Sequence, residues 1–178
     1  MSEEYFDILN PDGLSAGYSL SRSQVHHDGL WHKSAHIWVI DCRRRILLQR
    51  RALDKDTHPG LWDISAAGHL SAGEQSVDAA VREIREELGL IIPPPRINFR
   101  FTDREEHLCV NIIDREFHDV YTALITDEES EMIRPDPVEL CDVRWYTAEE
   151  FSNELCSSPD IFVPHPNEYR WILDEIQK

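Results

Sequence analysis

Residues 68–90, GHLSAGEQSVDAAVREIREELGL, decide how the rest of the chain is read. Within this stretch Glu83, Glu86 and Glu87 fall three and four residues apart, which on a helix puts all three carboxylates on one face. Like charges at that spacing repel by a few tenths of a kcal/mol per pair, so the face calls for a counter-charge or for open solvent. A hard divalent cation such as Mg²⁺ meets the first need, because it takes oxygen ligands. On the other side Val77, Ala80, Val81, Ile84 and Leu88 keep the spacing of a core-facing stripe. Ser76 is placed as the N-cap and Gly89 as the left-handed residue that ends the helix.

Upstream, Trp62 to Ala66 reads as a short strand delivering the chain to this stretch, preceded by a polar loop, RRALDKDTHPGL, over residues 50–61. Ile46 to Gln49 and Ala35 to Ile40 read as strands joined by a basic turn at Arg43 to Arg45, and Tyr18 to Arg22 as a further short strand. Downstream, Pro93-Pro94-Pro95 is a hard stop. Strand patterns follow at Ile97 to Thr102, Leu108 to Ile112, Asp119 to Ile125 and Val143 to Tyr146, with Asp127 to Glu131 read as a loop or short turn. Thr147 and Glu150 have the spacing of a capping box and open a helix to about Leu155, and Asn167 to Gln177 is amphipathic. Strands alternating with a few helices predict an α/β or α+β layered fold.

The 178 residues suit one domain, with residues 1–30 as an N-terminal extension packed on it. No apolar run reaches membrane-spanning length, and MSEEYFDILN lacks the basic-then-apolar pattern of a secretory signal. Cys42, Cys109, Cys141 and Cys156 are scattered, which suggests a reducing setting and a cytoplasmic protein. A net charge of −16 argues against a nucleic-acid duplex as partner, since phosphate neutralisation needs a basic surface. A small phosphorylated substrate remains compatible, because a few local cations offset it. Monomer and homodimer are equally consistent with the sequence.

The stretch resembles a complete Nudix box, G-x5-E-x7-R-E-U-x-E-E-x-G-U with U an aliphatic residue. Gly68, Glu74, Arg82, Glu83, Ile84, Glu86, Glu87, Gly89 and Leu90 fill its specified positions. That resemblance implies a mixed β-sheet sandwiched between helices. It also implies a metal-dependent pyrophosphohydrolase that cleaves a small organic diphosphate, of nucleoside or isoprenoid type, with Mg²⁺ or Mn²⁺. Glu83, Glu86 and Glu87 would hold the metal with the backbone carbonyl of Ala67, and Glu83 or Glu86 would serve as general base. Arg82 would orient the carboxylates, Glu74 would brace the loop against the helix through a bidentate pair, and Gly68 would permit a close backbone approach.

Beyond the box the chain resembles type I isopentenyl diphosphate isomerases. The resemblance is carried by His26 or His27, His32, the QRRALDK loop at residues 49–55, Pro59-Gly60-Leu61-Trp62, Ala67-Gly68-His69, and Asp114 with Glu116. It implies a possible second divalent metal at His26, His32, His69, Asp114 and Glu116, with imidazoles suited to Zn, Mn or Fe. It further implies that Arg51 and Lys55, assisted by Arg22, bind the substrate diphosphate. Trp31, Trp38 and Trp62 are candidates either for a pocket wall or for plain core. Two departures decide between chemistries. Those isomerases carry a proton-transferring cysteine where this chain has Ala67, and they tend to have a basic residue where it has Glu83. The reading is a hydrolase on an isomerase-like body. Isomerisation is the alternative, and a non-catalytic diphosphate-binding module is a third.

Overall fold

In the computed structural model, residues 3–109 and 112–178 are described. In chain order the elements are β1 (Tyr5–Leu9), β2 (Ser15–Ser21), α1 (Arg22–Asp28), β3 (Trp31–Ile40), β4 (Ile46–Arg51), β5 (Trp62–Asp63), β6 (Ala66–His69), α2 (Ser76–Leu88), β7 (Ile97–Cys109), β8 (Ile112–Leu124), α3 (Asp127–Glu131), β9 (Leu140–Tyr146), α4 (Ala148–Ser157) and α5 (Pro166–Ile176). Among the described residues the strands form one mixed sheet around β3. β3 runs parallel to β8 along its whole length, from Trp31 opposite Arg115 to Ile40 opposite Leu124. It is antiparallel to β6, β4 and β1.

Alternation along β3 builds the layers. Ala35, Ile37 and Val39 face α2 and pack with Ala79, Ala80, Ile84 and Leu88. Trp38 and Ile40 face the other way and pack with Phe151 of α4 and with Tyr169 and Ile172 of α5. The sheet is therefore covered by helix on both faces, as the resemblance implied. The second face changes character along its length. Toward Ile40 it is apolar, whereas its other half carries His32, Ser34 and His36 of β3 beside Glu116 and His118 of β8.

Several expectations need correction. Leu108 to Ile112 is not a separate strand: β7 runs unbroken to Cys109 and β8 begins at Ile112, while Val110 and Asn111 lie outside the described residues. Charged positions such as Glu106 and Arg115 stay in strand because they pair across the ladder, with the ions 3.1 Å apart. Of the loop or short turn read at Asp127 to Glu131, the turn is what forms, a single helical one closed by a reciprocal box between Thr126 and Glu129. Ser76 is the first helical residue, and Gln75 occupies the cap. Trp62 to Ala66 divides into β5 and the start of β6. The region before Trp31 contains β1 and α1 besides the strand anticipated there, and β1 joins the sheet beside β3.

Candidate active site

α2 lays its aliphatic stripe on the sheet and ends at Gly89, whose φ of 69° is left-handed. Being pinned on one face fixes where its acids emerge. Glu83 and Glu87 are buried and Glu86 is half exposed. Glu87 Oε2 accepts from the Ala67 backbone N–H at 3.1 Å and from Gln49 Nε2 at 3.2 Å. Arg82 forks onto Glu74, with Nε and Nη2 each 3.0 Å from one of its oxygens, while Nη2 also donates to the His69 carbonyl at 2.9 Å. Its Nη1 meets Glu83. One guanidinium thus ties the helix to the loop that carries Gly68 and His69.

Burial, with Glu86 and Glu74 adding repulsion, pushes the Glu83 carboxyl up to about 7 despite Arg82. Burial and the Glu83 charge push Glu87 up to about 8. Two buried acids in this state favour a cation between them, so the residues fit a divalent ion of oxygen preference. Gly68 is a second sign of close construction: a Cβ placed there would lie 1.8 Å from Glu83 Oε1. Gly68→Ala is expected to fold, because the clash is with a side-chain end, but to displace Glu83 and lower turnover by about 10²-fold. Steady-state rates together with a thermal melt check this; wild-type turnover would contradict it.

A second group of side chains sits beside the first. His26, His32, His69 and Asp114 present ligand atoms that all lie within 4.8 Å of one another. His26 turns inward from α1 while His27 is exposed, which resolves the choice left open by the sequence. Nε2 of His26 and of His32 and Oδ1 of Asp114 are buried without hydrogen-bond partners, while His69 Nε2 lies 2.6 Å from Glu116 Oε1. The His32 ring contacts the Leu30 carbonyl through Nδ1 at 3.0 Å, which leaves the Nε2 lone pair facing Glu116 Oε1 at 3.4 Å. Burial and the neighbouring imidazoles lower His26 to about 3, and burial lowers His69 to about 4. Burial and the Glu116 charge raise Asp114 to about 7. Against the push of burial, Glu116 raises His32, and three imidazoles around a crowded carboxylate pair, with three orphaned polar atoms, fit a transition-metal ion. Phe6 of β1 stacks on His32 and His69, with ring centroids 5.2 and 4.7 Å away.

The three box carboxylates and, from the second group, His69 and Asp114 with the adjoining Glu116 line one cavity of about 1150 Å³. Arg22, Arg51 and Lys55 line it, but each is already engaged. Arg51 binds Asp63 Oδ2 and Thr57 Oγ1, each at 3.1 Å; Lys55 pairs with Glu139; and Arg22 donates to His69 Nδ1 at 3.0 Å. Phosphate binding by these three would require exchange of partners. The tryptophans are not in the wall: Trp38 and Trp62 belong to the α4–α5 core, and Trp31 lies under the Arg104 guanidinium at 4.2 Å. Ala67, where the isomerases carry a thiol, does face the cavity. The sequence reading missed Phe6, Gln49 and Asp63, and a further imidazole group at His36, His107, His118 and His165. The signal was the two-residue spacing of Glu105-His107 and Glu116-His118, legible only once β7 and β8 are long paired strands.

A family model described as the NUDIX domain matches residues 30–166. Nudix hydrolase 3 of Arabidopsis thaliana is 37% identical over all of this chain, which spans 24% of the length of that protein. An isopentenyl-diphosphate Delta-isomerase of Shigella flexneri is 31% identical over 92% of this chain and 88% of its own. The crystal structure of DR0079 from Deinococcus radiodurans superposes with a TM-score of 0.69 at 17% identity, over 95% of this chain and 97% of that one; at this identity the likeness concerns the fold alone.

Proposed function

Because the chain belongs to the Nudix family, we infer that it is a divalent-metal-dependent hydrolase of the diphosphate bond in a small, polar organic diphosphate. The observation that carries this reading is that Glu83, Glu86 and Glu87 of one helix face open together with Ala67 and Gly68 into a single cavity. Proteins of this family generally use divalent metal ions. An ion of the Mg²⁺ or Mn²⁺ type held by those carboxylates and the Ala67 carbonyl would supply phosphate neutralisation and an acidified water.

The chain's own groups have separate tasks in this reading. Glu87 is fixed by two donors and acts as a ligand of set orientation. Glu83 or Glu86 takes the proton of the attacking water. Arg82 holds Glu83 and, through Glu74, keeps the loop closed against the helix. Lys55 and Arg51 stand near enough to the acids to meet a phosphate if they exchange partners. The cavity wall is mostly charged or imidazole, with Phe6, Ala67, Val138 and Val163 among its few apolar members, which favours a nucleoside-like diphosphate over a prenyl chain.

The test is a panel of nucleoside and isoprenoid diphosphates with Mg²⁺ or Mn²⁺, with released phosphate and isomerised product followed in parallel. Phosphate release from a polar member is expected. Isomer interconversion without phosphate release would instead support the second reading, which the Shigella relative and the cluster at Asp114 and Glu116 favour. Ligand-induced stabilisation with no chemistry would leave a binding module. Mg²⁺ alone is expected to raise the melting temperature of the parent chain and to leave that of a Glu83→Gln, Glu87→Gln double variant unchanged. Equal shifts in both would remove the carboxylates from the metal site.

A further inference from the structure

Behind Glu116, away from the box helix, a second set of imidazoles converges on one carboxylate oxygen. Glu105 Oε2 lies 3.1 Å from His107 Nε2, 2.7 Å from His165 Nδ1 and 3.5 Å from His118 Nε2. The residues arrive from three places: Glu105 and His107 from β7, His118 from β8, and His165 from the residue before α5. Their four ligand atoms all lie within 4.8 Å of one another. For a tetrahedral ion with metal–ligand bonds near 2.0–2.1 Å, adjacent ligand atoms stand about 3.3 Å apart. The three contacts to Glu105 bracket that value.

The hydrogen bonds behind the rings fix what they present. Ser34 Oγ donates its proton to Glu116 Oε2 at 3.0 Å, so its 2.7 Å contact with His118 Nδ1 has the imidazole N–H as donor. His118 Nε2 then faces Glu105 Oε2 at 3.5 Å. That atom is buried and has no hydrogen-bond partner, in a residue only 1% exposed. His165 Nε2 faces Asp63 Oδ1 at 3.2 Å, the other Asp63 oxygen is taken by Arg51, and His165 Nδ1 hydrogen-bonds Glu105 at 2.7 Å, so the ring bridges two carboxylates with a proton on each nitrogen. A divalent cation on Glu105 would take the place of the imidazole protons that face it, with Asp63 and Glu116 left behind the opposite ring nitrogens. Backing an imidazole N–H with a carboxylate, as Asp63 and Glu116 do, is how metal-bound histidines are held in orientation.

The geometry points to a second, previously unassigned transition-metal site formed by Glu105, His107, His118 and His165, of the chemical class that takes Zn²⁺ or Co²⁺. Four protein ligands close the coordination, which makes it a structural site. It staples the β7–β8 hairpin to the start of α5 and stiffens the wall of the cavity opposite the box. It shares no ligand with the His26, His32, His69 and Asp114 group, to which Glu116 joins it by contacting both His32 and His118.

The full chain, stripped with a chelator and held in excess Mg²⁺, is titrated with Zn²⁺ by calorimetry and with Co²⁺ by visible absorption. His107, the most exposed of the four, is changed to Gln, both in the parent and in a His32→Gln background. Each His107→Gln chain is expected to bind one equivalent less than its own background and to lose the tetrahedral Co²⁺ bands. Unchanged stoichiometry in both backgrounds would overturn the site and leave a network of protonated imidazoles around Glu105. Should His107→Gln not fold, the His32→Gln chain decides with diamagnetic Zn²⁺: one equivalent shifts the His118 and His165 ring signals in NMR if the site exists and leaves them in place if it does not.

Discussion

Glu87→Gln is expected to lower kcat for phosphate release by about 10²–10⁴-fold, the range in which single charged groups acting on a transition state fall. That corresponds to about 3–5 kcal/mol of lost transition-state stabilisation. The amide has nearly the volume of the acid, and its oxygen retains an acceptor for the Ala67 N–H. What it lacks is the charge. Without added metal the variant is expected to melt at or above the parent temperature, because a buried carboxylate that repels Glu83 has been neutralised. Turnover, metal-free melting and the Mg²⁺-induced shift together separate a lost ligand from a damaged fold. A variant that turns over within threefold of the parent would remove Glu87 from the chemistry.

The second large effect concerns stability, at Glu168→Ala. Glu168 is fully buried on α5, and its two oxygens accept from His36 Nδ1 at 2.7 Å and Trp38 Nε1 at 2.8 Å. Against the upward push of burial, His36, His165 and His118 hold its carboxyl below the ordinary range. Burial lowers His36, so its ring is neutral and donates to an ionised acid. Removing the acid strands both donors in the core and opens a cavity, at a cost of about 3–5 kcal/mol. For a chain of this length that is on the order of 10 °C in melting temperature. Chemical denaturation and thermal melting test it. Glu168→Gln, which keeps one acceptor, is expected to recover part of the loss, and a loss below about 1 kcal/mol in the alanine variant would mean that water replaces the acid.

How far the sequence could be read depended on whether the signal was local. The α2 stripe, the Gly89 stop and the Thr147–Glu150 box are set by contacts within one or two turns, and each is where periodicity placed it. The tail of α2 was readable for the same reason: acids three and four residues apart share a face whatever the sheet does. β7 and β8 were misread because their polar residues look like loop until a partner strand supplies the cross-strand contacts. The short β1 and α1 were missed on similar grounds, and with them Phe6, which stacks on two of the cluster histidines.

Charge partners were also out of reach. Arg51 and Lys55 read as free cations in a basic loop, yet Asp63 and Glu139, twelve and eighty-four residues away along the chain, occupy them. No spacing rule connects such positions. The sequence by itself determined the family, the orientation of the Glu83–Glu87 face and the absence of a thiol at Ala67, because these are properties of adjacent residues and of backbone period. Only the tertiary structure decided that Glu83 and Glu87 are buried, that His26 rather than His27 turns inward, and that Glu105, His107, His118 and His165 meet at one point. Those outcomes depend on strand register, which brings together residues from β3, β7, β8 and α5, and register is fixed by the packing of the whole sheet.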